Sequence, residues 1–185
     1  MRVSFVLLLL TATFGVCFPF PLSTASATIP ADVRKPQLGT SDPDLPEVMV
    51  LVEGGETIGD AVPITDWFTA YSGSTCGHAD DHDEVCPYSG SIAPDVVYTF
   101  TAPGAGGLQI DLCASQYDTK AYLYDFAAGY GFGNPVACND DGGCGITGYQ
   151  SLIDAAPIGI GHTYHLVIDG YGDDCGDYVL NFSWL

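Results

Sequence analysis

The pattern of hydrophobic and polar positions predicts a chain built from short β-strands. Residues 177–184 read DYVLNFSW, in which large apolar or aromatic side chains occupy every second position, as a half-buried strand requires. Other segments rich in β-branched and aromatic residues are separated by Gly, Pro, Asn and Asp. These segments span 47–53, 96–100, 107–113, 120–126, 135–139, 149–155 and 163–169. No segment carries sustained helical periodicity, so we expect an all-β fold, an antiparallel β-sandwich of about eight strands that is jelly-roll-like.

The first residues have the order of a secretory signal. Arg2 precedes an apolar run, and the stretch ends in the sequence ASA at 25–27, which suits signal cleavage. The run is shorter than the roughly 20 residues that a membrane-spanning helix needs. A segment with four prolines and no apolar periodicity follows, as in a linker. We therefore predict a signal peptide at 1–27, a Pro-rich linker at 28–46 and a secreted β-sandwich domain at 47–185.

The composition is strongly acidic, with 23 Asp and Glu against 4 Lys and Arg and a formal net charge of −19. Binding to nucleic acid or to an anionic membrane surface depends on Lys and Arg, so we expect neither partner. Metal cations and basic or polar partners remain compatible with such a surface. Adaptation to high salt explains the same composition without any ligand, and both interpretations stay open.

Chain reversal predicts where the acidic residues gather. In an antiparallel sandwich successive strands run in opposite directions, so connecting loops alternate between the two ends. The loops expected at one end, which we call the acidic pole, are 72–94, 114–119, 140–148 and 170–176. The loops expected at the other end contain no carboxylate and span 102–106, 127–134 and 157–162.

The cysteines predict disulfides at the acidic pole. Once Cys17 leaves with the signal peptide, the remaining cysteines are Cys76, Cys86, Cys113, Cys138, Cys144 and Cys175. An even number in an exported chain predicts three disulfides, and no C-x-x-C spacing supports the alternative of a thiolate zinc site. Short closures would pair Cys76 with Cys86 and Cys138 with Cys144, which leaves Cys113 for Cys175.

Oxygen-bearing side chains from several loops of the acidic pole are candidate ligands for calcium. They are Asp118, Asn139, Asp140, Asp141, Asp173 and Asp174. Ca²⁺ takes about six to eight oxygen ligands in flexible geometry, whereas carboxylates gathered without a cation repel one another or raise their pKa values. The alternative is structural, because Asp also stabilises turns through its own backbone.

The loop 72–94 adds a second acidic group, which consists of Asp80, Asp81, Asp83 and Glu84 together with His78 and His82. Histidines at i and i+4 share one side only on a helix, and a loop rich in Asp and bounded by cysteines is not expected to be helical. We therefore predict a solvated loop, with a metal site as the alternative.

Tyr130 and Phe132, in the uncharged sequence GYGFGN, are candidate contacts for a ligand, because exposed aromatic rings serve recognition of protein and sugar. The alternative is that Phe132 packs under the end of the sandwich.

Four segments carry a likeness to a known family. They read APDVVYTFTAP, LQIDLCASQYDTKAYLYD, VACNDDGGCG and GHTYHLVIDGYGDDCGDYVLNFSW, in this order. Over about residues 47–185 the chain resembles the bacterial pre-peptidase C-terminal domain. The resemblance implies a jelly-roll-like sandwich on a secreted bacterial protein, an accessory role beside a peptidase, and the use of calcium, as in collagenase relatives that bind collagen. A peptidase partner would here be encoded separately.

These observations favour a secreted, non-catalytic binding module that calcium stabilises and that recognises extracellular protein or polysaccharide. One alternative is a small carboxylate- or metal-dependent hydrolase acting at the acidic pole, and another is a structural component of the envelope. In an enzyme the carboxylates should converge on a pocket. In a binding module they should surround an ion or point outward.

Overall fold

The alternating residues near the C-terminus form the predicted strand, and one face of this strand enters the core. In the computed structural model it spans Asp177–Trp184, with Tyr178, Leu180 and Phe182 buried. The structure describes residues 50–85, 87–88, 91–126 and 134–185. All of these lie in one compact unit, Leu45–Leu185.

The described residues form ten strands and one short 3-10 helix, Ile58–Asp60. In chain order the strands are β1 (Val50–Leu51), β2 (Val62–Pro63), β3 (Tyr71–Ser74), β4 (Val96–Thr101), β5 (Gly106–Asp111), β6 (Thr119–Asp125), β7 (Ala137–Asn139), β8 (Leu152–Ile158), β9 (Thr163–Gly170) and β10 (Asp177–Trp184).

The strands form two five-stranded sheets, in agreement with an all-β sandwich. The order is β1-β3-β10-β5-β8 in the first sheet and β2-β4-β9-β6-β7 in the second. Apolar side chains of both sheets share one buried cluster, in which Leu108 and Leu180 of the first sheet lie with Val96 and Leu166 of the second. This shared cluster is the core that the alternating sequence pattern predicts.

Two features of the pairing depart from the sequence prediction. Strands β2 and β3 are absent from it, because strands this short do not show alternation, and β2 pairs with β4 in parallel. Strand β8 begins at Leu152 rather than at 149. The preceding Gln150 and Ser151 are buried and bond to neighbouring loops instead of extending the ladder.

The second sheet is buried on both faces. All 7 residues of β6 are buried, and Tyr122 and Tyr124 pack with Val167 in a second cluster on the outer face. The loop 72–94 reaches this face, where the hydroxyl of Tyr124 donates to Glu84 Oε1 at 2.8 Å. Part of a loop predicted as solvated is therefore a packed layer of the fold.

The disulfide pairing differs from the prediction. Cys76 bonds to Cys175 at a sequence separation of 99, and Cys113 bonds to Cys144 at a separation of 31. The short closures predicted for Cys76 and Cys144 are wrong, and so is the pairing of Cys113 with Cys175. The physical reason is that the bonds tie different loops of the acidic pole to one another instead of closing single loops.

Several sequence predictions concern residues outside the described ones. Cys138 is also disulfide-bonded, but Cys86 lies outside the described residues, so two complete disulfides are described where three were expected. Tyr130, Phe132, the signal peptide and the linker lie outside as well. In the described ranges, no helix is long and apolar enough to cross a membrane.

Candidate metal centre at the acidic pole

The four loops of the acidic pole contact one another, as chain reversal predicts. The amide of Ile92 donates to the carbonyl of Gly172 at 2.7 Å, which joins the first loop to the last. The amide of Tyr171 donates to the carbonyl of Asp118 at 3.0 Å. The Cys113–Cys144 disulfide ties the third loop to the start of the second.

Three carboxylates converge in this pole. Asp118, Asp140 and Asp141 each offer an oxygen, and these oxygens all lie within 4.8 Å of one another. Asp118 precedes β6 and the other two follow β7, and because these strands are antiparallel neighbours, their pairing brings the carboxylates together. Ionised oxygens at such distances repel one another, and a cation between them converts the repulsion into attraction.

A buried serine fixes the backbone around the cluster. The hydroxyl of Ser151 lies 3.0 Å from the carbonyl oxygens of Asn139 and Asp140 and also contacts that of Thr119. The amide of Ser151 donates to Thr119 Oγ1 at 2.8 Å. The starts of β6 and β8 and the end of β7 are thereby joined directly behind the carboxylates.

Asp140 is the residue that distinguishes this cluster from an ordinary acidic surface. It is 1% exposed, yet neither carboxylate oxygen has a hydrogen-bond partner among the described residues. Asp118 Oδ1 is likewise buried without a partner there. Buried polar atoms are nearly always paired, because an unpaired one loses hydration without compensation. These oxygens therefore indicate a cation or donor that the described residues do not supply.

The same crowding alters the acidity of the cluster. Burial raises the pKa of Asp140 to about 6, and the neighbouring carboxylate of Asp118 contributes to the rise. The pKa of Asp118 is also raised to about 6, mainly by burial and to a smaller extent by repulsion from Asp141 and Asp174. Both shifts show that the ionised forms are held at a free-energy cost, which a bound cation would remove.

The ammonium group of Lys120 lies near the cluster but is held by other acceptors. Lys120 is fully buried, and its Nζ donates to the carbonyls of Tyr88 at 3.0 Å and Glu84 at 3.3 Å. Its charge opposes the rise in the pKa of Asp118 and Asp140 without providing a hydrogen bond to their buried oxygens.

The remaining predicted ligands have other surroundings. Asn139 Oδ1 accepts a hydrogen bond from the amide of Leu152 at 2.8 Å, so this oxygen already helps to join β7 to β8. Asp174 Oδ2 accepts from the amide of Asp118 at 3.1 Å, and Asp173 is exposed. Neither Asp173 nor Asp174 belongs to the converging group.

Three tyrosines share a cavity with the carboxylates. The cavity measures about 320 Å³, and its lining consists of Tyr88, Asp118, Asp140, Asp141, Tyr149 and Tyr171. The tyrosines are 46% to 54% exposed. The sequence analysis missed them, although two of them follow a glycine in a turn, where a bulky exposed ring is unusual.

The histidines of the first loop bind carboxylates. His78 Nδ1 contacts Glu56 and its Nε2 lies 3.2 Å from Glu53, whereas His82 Nδ1 lies 2.7 Å from Asp95. Burial lowers the pKa of each histidine, but these carboxylates outweigh it, so the pKa of both is raised. The two rings thus have separate carboxylate partners.

The acidic side chains of the first loop divide into two groups. Asp80, Asp81 and Asp83 are exposed, as a solvated loop predicts, whereas Glu84 is partly buried. Asp95, which is fully buried, fixes the loop because its Oδ2 accepts the amides of Asp81 and His82 at 2.8 and 2.9 Å. Asp95 was missed because a single Asp before a strand looks like an ordinary turn residue.

A second cavity lies at the opposite end. It measures about 590 Å³ and includes His162, whose Nδ1 lies 2.8 Å from Asp125 Oδ2. Elsewhere in the described part of the chain, no second group of three or more potential metal ligands occurs.

Comparison with known proteins assigns the chain to no family. A scan against models of protein families gives no match. A search of curated proteins gives none either. Among solved structures, the pre-peptidase C-terminal domain of a collagenase from Bacillus anthracis is similar with a TM-score of 0.43 and 20% identity, over 66% of this chain and 93% of that one. The likeness is too weak to carry a conclusion about fold or function.

Proposed function

We propose that this chain is a secreted, non-catalytic binding module whose acidic pole holds Ca²⁺ and that recognises an extracellular protein or polysaccharide. The observation that carries the proposal is the buried carboxylate of Asp140, which has no hydrogen-bond partner among the described residues and lies against two further carboxylates. Disulfides support an extracellular location, because they persist in oxidising compartments.

The donor set fits calcium better than a transition metal. Asp118, Asp140 and Asp141 offer oxygen ligands only, which suit hard cations such as Ca²⁺. An ion held by these residues would connect the loop before β6 to the loop after β7. It would stabilise the fold by removing carboxylate repulsion and by cross-linking two loops.

The proposal predicts opposite effects of one substitution with and without calcium. Asp140→Asn removes a buried charge, so in the presence of chelator at pH 7.5 we expect the variant to be more stable than the parent by about 1–3 kcal/mol. Addition of Ca²⁺ should raise the unfolding midpoint of the parent by several degrees and leave that of the variant almost unchanged. Thermal unfolding followed by circular dichroism measures both effects.

The matched control is Asp173→Asn, which removes the same charge from an exposed position of the same pole. This variant should keep the full response to Ca²⁺. NaCl at the same ionic strength controls for screening. An equal rise of the midpoint with NaCl, or an unchanged calcium response in Asp140→Asn, would disprove the calcium site.

The hydrolase alternative draws support from the cavity, because carboxylates lining a cavity also occur in active sites. The number of carboxylates favours the cation, since three of them converge here whereas glycosidases use a pair. Release of reducing sugar from soluble polysaccharides, abolished in Asp141→Asn, would establish the hydrolase instead.

A further inference from the structure

The cavity of the acidic pole combines the three converging carboxylates with three tyrosines. Its lining consists of Asp118, Asp140 and Asp141 together with Tyr88, Tyr149 and Tyr171. These tyrosine rings are about half exposed, so a ligand can pack against them. Both carboxylate oxygens of Asp140 lack a hydrogen-bond partner among the described residues, so a cation or donor from elsewhere would satisfy them.

We infer that this cavity is a binding site for an uncharged polysaccharide, whose hydroxyl groups complete the coordination of the cation while a sugar ring packs on the tyrosines. The inference rests on the calcium site proposed above. Of the two ligand classes named in the proposed function, extracellular protein and polysaccharide, it selects polysaccharide.

The chemistry of the wall favours sugar hydroxyls. Ca²⁺ takes about six to eight oxygen ligands, and three carboxylates that each supply one oxygen leave several positions open. Sugar hydroxyl groups can fill these positions as neutral oxygen ligands. A hydroxyl can also donate to the exposed carboxylate of Asp141. One sugar can therefore satisfy both the ion and the carboxylates.

Charge and size narrow the ligand further. The net charge of −19 disfavours acidic polysaccharides, so an uncharged chain is the better fit. The cavity volume of about 320 Å³ lies at the lower end of the roughly 300–1,000 Å³ of small-molecule sites, which suits a sugar unit of a longer chain. A protein partner would need a surface of about 800 Å² or more on each side.

The tyrosines are held by the fold on their backbone side. Lys120 Nζ donates to the carbonyl of Tyr88, and the amide of Tyr171 donates to the carbonyl of Asp118. Tyr149 lies outside the strands, and its amide donates to Thr147 Oγ1 at 3.3 Å. Each ring can therefore be removed without removing the contacts that fix its backbone.

Native affinity electrophoresis tests the inference. The full chain is run in gels that contain a soluble uncharged polysaccharide, with either Ca²⁺ or chelator, and the series covers glucan, xylan, galactomannan and glycol chitin. We expect at least one of them to retard the protein with Ca²⁺ and none to do so with chelator. An oligolysine peptide, tested by calorimetry, represents a basic protein partner, which the net charge of −19 would attract.

Two variants separate the sugar site from the calcium site. Tyr149→Ala and Tyr171→Ala should each weaken polysaccharide binding at least about fivefold and keep the calcium-induced rise of the unfolding midpoint. Tyr149→Phe should bind nearly as the parent does, because the ring remains. The matched control is Phe68→Ala, an exposed ring outside the cavity and next to Trp67, which packs on Phe100 and Trp184.

The outcomes distinguish the two proposals. If Ca²⁺ gives no specific rise of the midpoint, the proposed function fails and this inference fails with it. If the rise is present but no polysaccharide of the series retards the protein, or only the oligolysine peptide binds, the inference is overturned and the calcium site stands. Retardation that persists in chelator or in both alanine variants also overturns it.

Discussion

Lys120 shows how one buried charge can organise a loop. It lies on β6, is fully buried, and bonds to two carbonyls of the first loop of the acidic pole, those of Glu84 and Tyr88. A buried ammonium group is stable only when its donors are used. The loop therefore supplies the acceptors for Lys120, and Lys120 holds the loop on the outer face of the second sheet.

We predict that Lys120→Met destabilises the protein by about 2–4 kcal/mol in chelator, because two partly buried carbonyls lose their donor and the neighbouring carboxylates lose a cation. Chemical denaturation measures the loss. The control is Leu123→Met on the same strand, a change of similar volume that should cost less than about 1.5 kcal/mol. Equal effects of the two substitutions would show that Lys120 acts only by filling space.

At the scale of elements, the two described disulfides have different tasks. Cys76–Cys175 links the first and last loops of the acidic pole across 99 residues. Cys113–Cys144 spans 31 residues and links the loops that carry Asp118, Asp140 and Asp141. Stability and calcium binding should therefore depend on different bonds.

We predict a crossed result for the paired replacements by alanine. Loss of Cys76–Cys175 should lower the free energy of unfolding by about 4.7 kcal/mol and loss of Cys113–Cys144 by about 3.7 kcal/mol, because the longer loop restricts the unfolded chain more. Calcium affinity, measured by calorimetry, should fall mainly in the variant without Cys113–Cys144. A larger fall in the other variant would contradict this assignment.

At the scale of the whole molecule, buried acidic groups make stability depend on pH. Asp169 is fully buried on β9, and burial raises its pKa to about 7, although Tyr122 and Ser91 donate to its oxygens. In the unfolded chain the pKa of Asp is about 3.9. Folding therefore favours the protonated form of Asp169. Its contribution to the free energy of unfolding is fully present below about pH 4 and is lost as the pH rises through about 7.

We predict that, in chelator, the free energy of unfolding falls by up to about 1.4 kcal/mol per pH unit between about pH 5 and 7 on account of Asp169 alone. The raised pKa of His78 and His82 acts in the same direction at higher pH, since their bound protons are lost as the pH rises. Denaturation curves across this range measure the slope. Asp169→Asn should reduce the slope to the part that Asp118 and Asp140 contribute, and a slope equal to that of the parent would show that Asp169 is ionised throughout.

The fold was predictable where a strand is long enough to carry a clear sequence signal. Strand β10 lies where alternation places it, and β4 and β9 lie where β-branched and aromatic residues place them. The short strands β2 and β3 and the start of β8 were not, since their positions depend on pairing partners far along the chain. Disulfide pairing escaped prediction for the same reason, because sequence spacing does not report which loops touch.

By itself, the sequence determined the all-β class, the acidic composition and the gathering of acidic loops at one end, because side-chain alternation and chain reversal are local properties of strands. Only the tertiary structure decided which carboxylates meet. Asp118, Asp140 and Asp141 converge because β6 and β7 are paired, while Asp173 faces solvent. Burial and the pairing of individual oxygens depend on every neighbour in space, and spacing along the chain does not specify those neighbours.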